Sequence, residues 1–211
     1  MKPELMRRFM PRWLLMRRMR RVFSAIYRSN GWGETETRSG PGSTLARAET
    51  FRGELERVLG ELQVRSLLDV GCGDFNWMRA LAVPLQRYVG VDVVPELVAD
   101  LERRHGSGLR QFLCLNAVRD QLPHCDAAIC RDCLVHLRHQ DVLALLANIR
   151  RSGARFLIAT TFPDLDANAD VETGGWRPLN LELDPFLLPL PMRIVHEGGT
   201  GKALGVWALD R

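Results

Sequence analysis

The stretch Ser66-Leu67-Leu68-Asp69-Val70-Gly71-Cys72-Gly73-Asp74-Phe75 decides the fold of this 211-residue chain. Its first five residues form a short, mostly apolar run that glycine stops, which reads as a buried strand breaking into a turn. Gly71 and Gly73 lack Cβ, so the turn can take up positive φ and let a ligand come close to the main chain. A second apolar strand, Tyr88-Val89-Gly90-Val91, ends in Asp92 roughly twenty residues on, where a carboxylate can accept both hydroxyls of a ribose. Two strands would thus grip one nucleoside. Asn76 stands where a dinucleotide fingerprint requires its third glycine, which argues against a pyrophosphate packed on a helix start.

Outward from that turn, strand and helix patterns alternate, the mark of a doubly wound, mostly parallel α/β sheet. A helix is expected over 45–62, with Phe51, Leu55, Val58, Leu59 and Leu62 on one face. After strand one come a helix over 77–82, strand two at 87–91, a helix over 95–105 and strand three at 111–115. Strand four follows at 127–130, then a helix over 141–152, strand five at 155–160 and an antiparallel pair at 192–195 and 203–209. The segment 29–44 is dense in glycine and hydroxyl residues and reads as an ordered loop or lid.

Length and a 46% hydrophobic content fit one α/β domain with a short extension. The net charge of +4 is unevenly placed: residues 1–30 carry nine Lys or Arg against Glu4, leaving 20 Lys or Arg against 24 Asp or Glu in the rest. The basic balance therefore belongs to the N-terminal arm, and a mildly acidic body is not expected to bind nucleic acid. In that arm Leu5, Met6, Phe9, Met10, Trp13, Met16, Val22, Phe23 and Ile26 recur at helical spacing among arginines, interrupted by Pro11. No apolar run there is long enough to span a bilayer, so the pattern reads as a basic amphipathic arm over 1–28 that contacts an anionic membrane peripherally. A disordered arm, an early start codon and a helix packed on the body are its alternatives. The domain proper is then 29–211. Five cysteines show no secreted disulfide frame and point to a reducing cytoplasm. Cys130-Arg131-Asp132-Cys133 lacks a second pair at zinc-finger spacing, and no metal is expected.

The glycine turn with its paired acid resembles the class I S-adenosylmethionine-dependent methyltransferases, in which an acid and G-x-G follow the first strand and a ribose-binding acid ends the second. Asp69, Gly71, Gly73 and Asp92 fall on those positions. Cys130-Arg131-Asp132-Cys133-Leu134-Val135-His136-Leu137 is similar to the motif after strand four in small-molecule members, and Ala159-Thr160-Thr161-Phe162-Pro163 follows strand five. The resemblance spans about 29–209, is to a bacterial small-molecule-type group, and implies a seven-stranded Rossmann-like sheet with S-adenosylmethionine as cofactor.

Family analogy sets Asp69 and Gly71 at the methionine half, Asp92 at the ribose and Asn116 near the adenine amino group, with Arg131 facing the cofactor carboxylate or an acidic substrate. Asp132 and His136 are four apart and would share a face if 132–137 were helical, with His136 as general base and Asp132 orienting it; packing that caps a loop is the alternative for His136, and substrate binding or helix capping for Asp132. Trp176, Arg177 and Asn180 are expected in the substrate wall. No Asn-Pro-Pro-Tyr follows strand four, so the signature of amino-group nucleic-acid methyltransferases is absent. Oxygen on a small molecule, sugar or lipid-linked intermediate is the expected acceptor. A non-catalytic methyltransferase-like binding module, recruited by its basic arm, is the alternative. A nicotinamide reductase would carry the third glycine and a Tyr-Lys pair, whereas the only tyrosines are Tyr27 and Tyr88 and the only lysines Lys2 and Lys202.

Overall fold

The computed structural model describes residues 12–199 and 201–209, with side chains described from residue 18 onward. Helix α1 spans Arg12–Ser29, α2 Leu45–Glu49 and α3 Arg52–Glu61. The sheet strands are β1 Ser66–Val70, β2 Arg87–Asp92, β3 Arg110–Cys114, β4 Ala127–Cys130, β5 Phe156–Thr161, β6 Arg193–His196 and β7 Ala203–Ala208. Helices α4 (Pro95–His105) and α5 (His139–Arg151) connect β2 to β3 and β4 to β5.

These strands form one sheet in the order β3-β2-β1-β4-β5-β7-β6. The first five run parallel, and β7 lies antiparallel between β5 and β6. This is the expected doubly wound, mostly parallel architecture, closed by an antiparallel pair. Chain order reverses at β1, flanked by β2 on one side and β4 on the other. In such sheets a ligand lies beyond the carboxyl ends of the strands at that switch point. Core residues divide between the two faces: Leu68, Val70, Val89 and Val91 pack with α5, whereas Leu67, Ile129 and Ile158 pack with α3 and α4.

Two helices depart from expectation. The single helix over 45–62 is broken at Thr50 and Phe51, where Phe51 leaves helical geometry at φ −131°. Its ring is buried edge-on against Trp77, with centroids 5.4 Å apart, and that burial overrides local propensity. The helix over 77–82 shrinks to one 3₁₀ turn, Met78–Ala80. Pro84 follows closely, and the residue before a proline disfavours helical backbone.

Helix α1 lies on the body. Met19 and Ser24 are buried, and the Gly174 backbone sits so close to α1 that a Cβ there would meet Val22 Cγ1 at 2.5 Å and Ile26 Cδ1 at 3.3 Å. Surface ion pairs Arg18–Glu172 and Arg28–Glu96, each 2.7 Å, add little by themselves. Between residues 19 and 27 Met19 is buried and Val22, Phe23, Ile26 and Tyr27 are half-buried, so this part of the arm packs on the protein. Residues 1–11, and the side chains of 12–17, lie outside the described residues. No described helix is long and apolar enough to cross a membrane.

Candidate active site

At the carboxyl ends of β1, β2 and β4 a crevice is bordered by Asp69, Gly71, Gly73, Asp92, Asn116, Arg131, Asp132, Cys133 and His136. Its space between atoms, open mouth included, is about 1000 Å³. The other wall comes from Met19, Phe23 and Tyr27 of α1 and from Trp32, Arg38, Ser39 and Ser43 of the following loop. The sequence marks that loop by its glycine and hydroxyl content, but nothing in it says which side of α1 would be covered.

The turn requires both glycines. Gly71 has φ +73° and Gly73 φ +54°. A Cβ at Gly71 would lie 2.8 Å from Cys133 Sγ, and one at Gly73 2.1 Å from Ser39 Oγ. The amides of Gly71 and Cys72 donate to the Val91 carbonyl at 2.9 and 3.1 Å, tying the turn to β2. Beyond it, Asp74 accepts from Thr37 Oγ1, Ser39 Oγ and the Arg38 amide at 2.7–3.0 Å, which anchors the Gly-Ser loop across the crevice.

Asp92 accepts from the amides of Gly73 and Val94 at 3.3 and 3.0 Å. Burial raises its carboxyl above the usual range, and those backbone N–H groups work against the rise. Asp69 is buried and accepts a 2.7 Å bond from Tyr88 Oη. Burial pushes its carboxyl up to about 7, despite that bond. Asn116 also borders the crevice, but its Oδ1 accepts from the Val118 amide at 3.1 Å in a local turn. The carbonyl expected to meet an adenine amino group thus already holds one bond, leaving a single lone pair for that role.

His136 sits in the 3₁₀ turn Leu134–His136. Its Nδ1 is 2.7 Å from the Gly175 carbonyl, so Nδ1 carries the proton and Nε2 of the neutral ring is left as an acceptor. Burial holds its pKa below the ordinary value, outweighing the Gly175 contact. Trp32 packs against the ring with centroids 5.2 Å apart.

Asp132 makes no hydrogen bond to His136, whose Nδ1 is taken by the Gly175 carbonyl, although the two lie close enough for each charge to bear on the other. Its φ is +54°, so it stands outside the following turn and the four-residue spacing does not place the pair on one face. Its carboxylate meets Lys202 Nζ at 2.5 Å instead, and its amide donates to Thr160 Oγ1 at 2.8 Å. Burial pushes the carboxyl up, but Arg131 and Lys202 together hold it below the usual range. A strained backbone beside a crevice is a recurrent feature of functional sites.

The expected substrate wall is corrected at three residues, none of which borders the crevice. Arg177 is buried and donates to the carbonyls of Leu134 and Leu137 at 2.7 Å each and of Ala169 at 3.1 Å. It holds the His136 turn from behind. Asn180 donates to Pro163 and Leu165 carbonyls at 3.2 and 3.4 Å, bracing the segment after β5. Trp176 is 61% exposed and meets Phe162 edge-on. A sequence pattern gives the residue types in this connection but not the carbonyls they face. Among the described residues no group of three or more His, Cys, Asp or Glu is placed to hold a metal.

The family model described as "Methyltransferase domain" matches residues 67–153, from β1 through α5, and so includes the glycine turn, Asp92 and the His136 turn. Over that stretch the chain is similar to the methyltransferase-domain family. No curated protein sequence matches the chain. Among solved structures it is similar to 1,6-didemethyltoxoflavin-N1-methyltransferase of Burkholderia thailandensis, at 19% identity over 94% of this chain and 89% of that one, TM-score 0.65. It is also similar to magnesium protoporphyrin IX methyltransferase of Synechocystis PCC 6803, at 14% identity over 90% and 94%, TM-score 0.62. The chain spans 66% of the bacterial CtHen1 methyltransferase-domain chain, with a TM-score of 0.48. At these identities the likenesses establish the fold.

Proposed function

We propose that this protein transfers a methyl group from S-adenosylmethionine to a small-molecule acceptor, at an oxygen that carries a proton. One observation carries the reading: a single crevice is bordered by Gly71, Gly73 and Asp92 and by His136, whose Nε2 is left as an acceptor. The same pairing favours catalysis over a module that only binds. When bound, the cofactor supplies an electrophilic methyl on a sulfonium, leaving as the thioether adenosylhomocysteine.

The chain's own residues divide the remaining work. Asp92 accepts the ribose hydroxyls, the Gly71–Gly73 turn lets the cofactor reach the main chain, and Asp69 faces the methionine ammonium. His136 Nε2 takes the acceptor's proton, while the Gly175 carbonyl keeps the ring in the tautomer that can accept it. Phe23, Tyr27 and Trp32 shut out water beside it. Transfer of labelled methyl from the cofactor into a panel of hydroxylated small molecules tests the acceptor class. Product cleaved as an O-methyl group supports the reading, and label found only on nitrogen or carbon contradicts it.

The raised Asp69 carboxyl gives this reading a pH signature. A ligand ammonium pairs with the carboxylate, which below about pH 7 is largely protonated in the empty protein. Cofactor affinity is therefore expected to fall as pH drops from 8 to 6, with proton release on binding near neutrality, read by calorimetry in buffers of different ionisation enthalpy. The empty fold responds in the opposite sense. A carboxyl raised on folding contributes stability at low pH that is lost as pH climbs toward about 7.

A further inference from the structure

Trp32, in the loop between α1 and α2, borders the crevice and is half-buried. Its ring packs on that of His136, with 5.2 Å between centroids and 33° between planes. The loop holds it on both sides. Before it the Gly31 amide donates to the Ile26 carbonyl, and after it the Gly33 amide donates to the Asn30 carbonyl, each at 2.8 Å. Asn30 Nδ2 closes this turn on the Glu34 carbonyl, also at 2.8 Å. Gly40 stands at φ +85° so close to the indole that a Cβ there would meet Trp32 Cβ at 3.3 Å. Its neighbour Ser39 donates through Oγ to Asp74 at 3.0 Å and accepts from the Asp74 amide at 2.8 Å, next to Gly73. One loop therefore touches both the imidazole and the glycine turn.

His136 is tied at Nδ1 by the Gly175 carbonyl. One hydrogen bond fixes one atom of the ring, so the direction of Nε2 needs a second contact, and the flat face of Trp32 is such a contact. Resting on the reading of His136 as proton acceptor, we propose that Trp32 is a positioning residue, which sets the plane of the imidazole and refers that plane to the glycine turn. A base and a methyl donor act together only when both are held in one frame, and the loop from Trp32 to Ser39 supplies it. The charges that bear on the imidazole come from other elements: Asp132 in the turn after β4, Arg177 behind that turn and Lys202 just before β7. Replacing Trp32 leaves all three in place and alters only the ring's freedom and its hydration. The indole face would by itself favour an imidazolium, but burial is the largest influence on this ring and acts the other way. Water admitted by loss of the indole is therefore expected to raise the imidazole pKa toward its ordinary value.

The experiment needs no acceptor. Long-range proton–nitrogen NMR spectra of the full chain, labelled at histidine nitrogen and recorded from about pH 5 to 8, read the tautomer and the titration midpoint of each imidazole. The His136→Ala variant identifies the His136 signals. Wild type is expected to show a single neutral tautomer with the proton on Nδ1 and a midpoint below the ordinary histidine value. In Trp32→Ala the signals are expected to average over both tautomers and the midpoint to move up. Trp32→Phe keeps a flat face and is expected to keep the single tautomer. Adenosylhomocysteine affinity, read by calorimetry, is expected to stay within roughly threefold in Trp32→Ala, which shows that the fold and the glycine turn are intact. A single tautomer with an unmoved midpoint in Trp32→Ala overturns the proposal, and so does loss of the tautomer in Trp32→Phe. An affinity loss above roughly tenfold in Trp32→Ala also overturns it, by placing Trp32 on the cofactor instead of the base. Failure of wild type to bind adenosylhomocysteine is a separate result, which contradicts the cofactor reading and leaves the imidazole spectra to decide the role of Trp32.

Discussion

His136→Ala is expected to lower turnover by about 10²- to 10⁴-fold, the contribution of a positioned general base, while leaving cofactor affinity within a factor of two or three. The split between turnover and binding is what distinguishes a base from a packing residue. Nε2 has the free lone pair and Nδ1 is held by Gly175, so truncation removes the proton acceptor without touching Gly71, Gly73 or Asp92. The pH profile carries the same information with a definite sign. Because burial holds the imidazole pKa below its ordinary value, the wild-type rate is expected to rise with pH on a limb centred below about 6.5 and then level off. In His136→Ala that limb disappears. Steady-state rates across pH 5 to 9 with the identified acceptor check both points, and unchanged turnover in the variant would remove His136 from the chemistry.

Gly73→Ala carries the second large effect. The new Cβ would lie 2.1 Å from Ser39 Oγ, and φ +54° is a conformation that alanine adopts at a cost of roughly 1–2 kcal/mol. The Gly-Ser loop is pinned to Asp74 by four hydrogen bonds, so it cannot retreat freely. We expect cofactor affinity to fall by 100-fold or more in titration. Combining Gly73→Ala with Ser39→Gly removes the clash but not the backbone strain, and should restore affinity only in part. Full affinity in the single variant would mean that the turn does not approach the ligand.

The residues that were legible in sequence are those whose role is local. A glycine pair after an apolar strand demands positive φ wherever it occurs, and both glycines adopt it. Likewise Asp92 ends β2 because the strand's apolar run ends there. Alternating strands and helices pointed to a doubly wound, mostly parallel sheet, though not to its strand order. Roles set by distant partners were hidden. Nothing near Arg177 in the chain announces that its guanidinium reaches back to Leu134 and Leu137 carbonyls. The four-residue spacing of Asp132 and His136 implied one face only if the backbone were helical, and Thr160 and Lys202 hold Asp132 otherwise. For α1, periodicity revealed an apolar stripe, but Met19, Phe23 and Tyr27 face a crevice that exists only once the sheet has formed.

The β1 turn and Asp92 together are expected to form an adenosylmethionine site. Calorimetric titration of the full chain with S-adenosylmethionine and adenosylhomocysteine, repeated on Asp92→Ala, tests it most directly. One-to-one binding of both ligands, no binding of NAD, and an affinity loss of roughly 10- to 100-fold in Asp92→Ala are expected, because a carboxylate accepting ribose hydroxyls makes charge-assisted bonds. Absence of binding, or equal affinity in the variant, would contradict it.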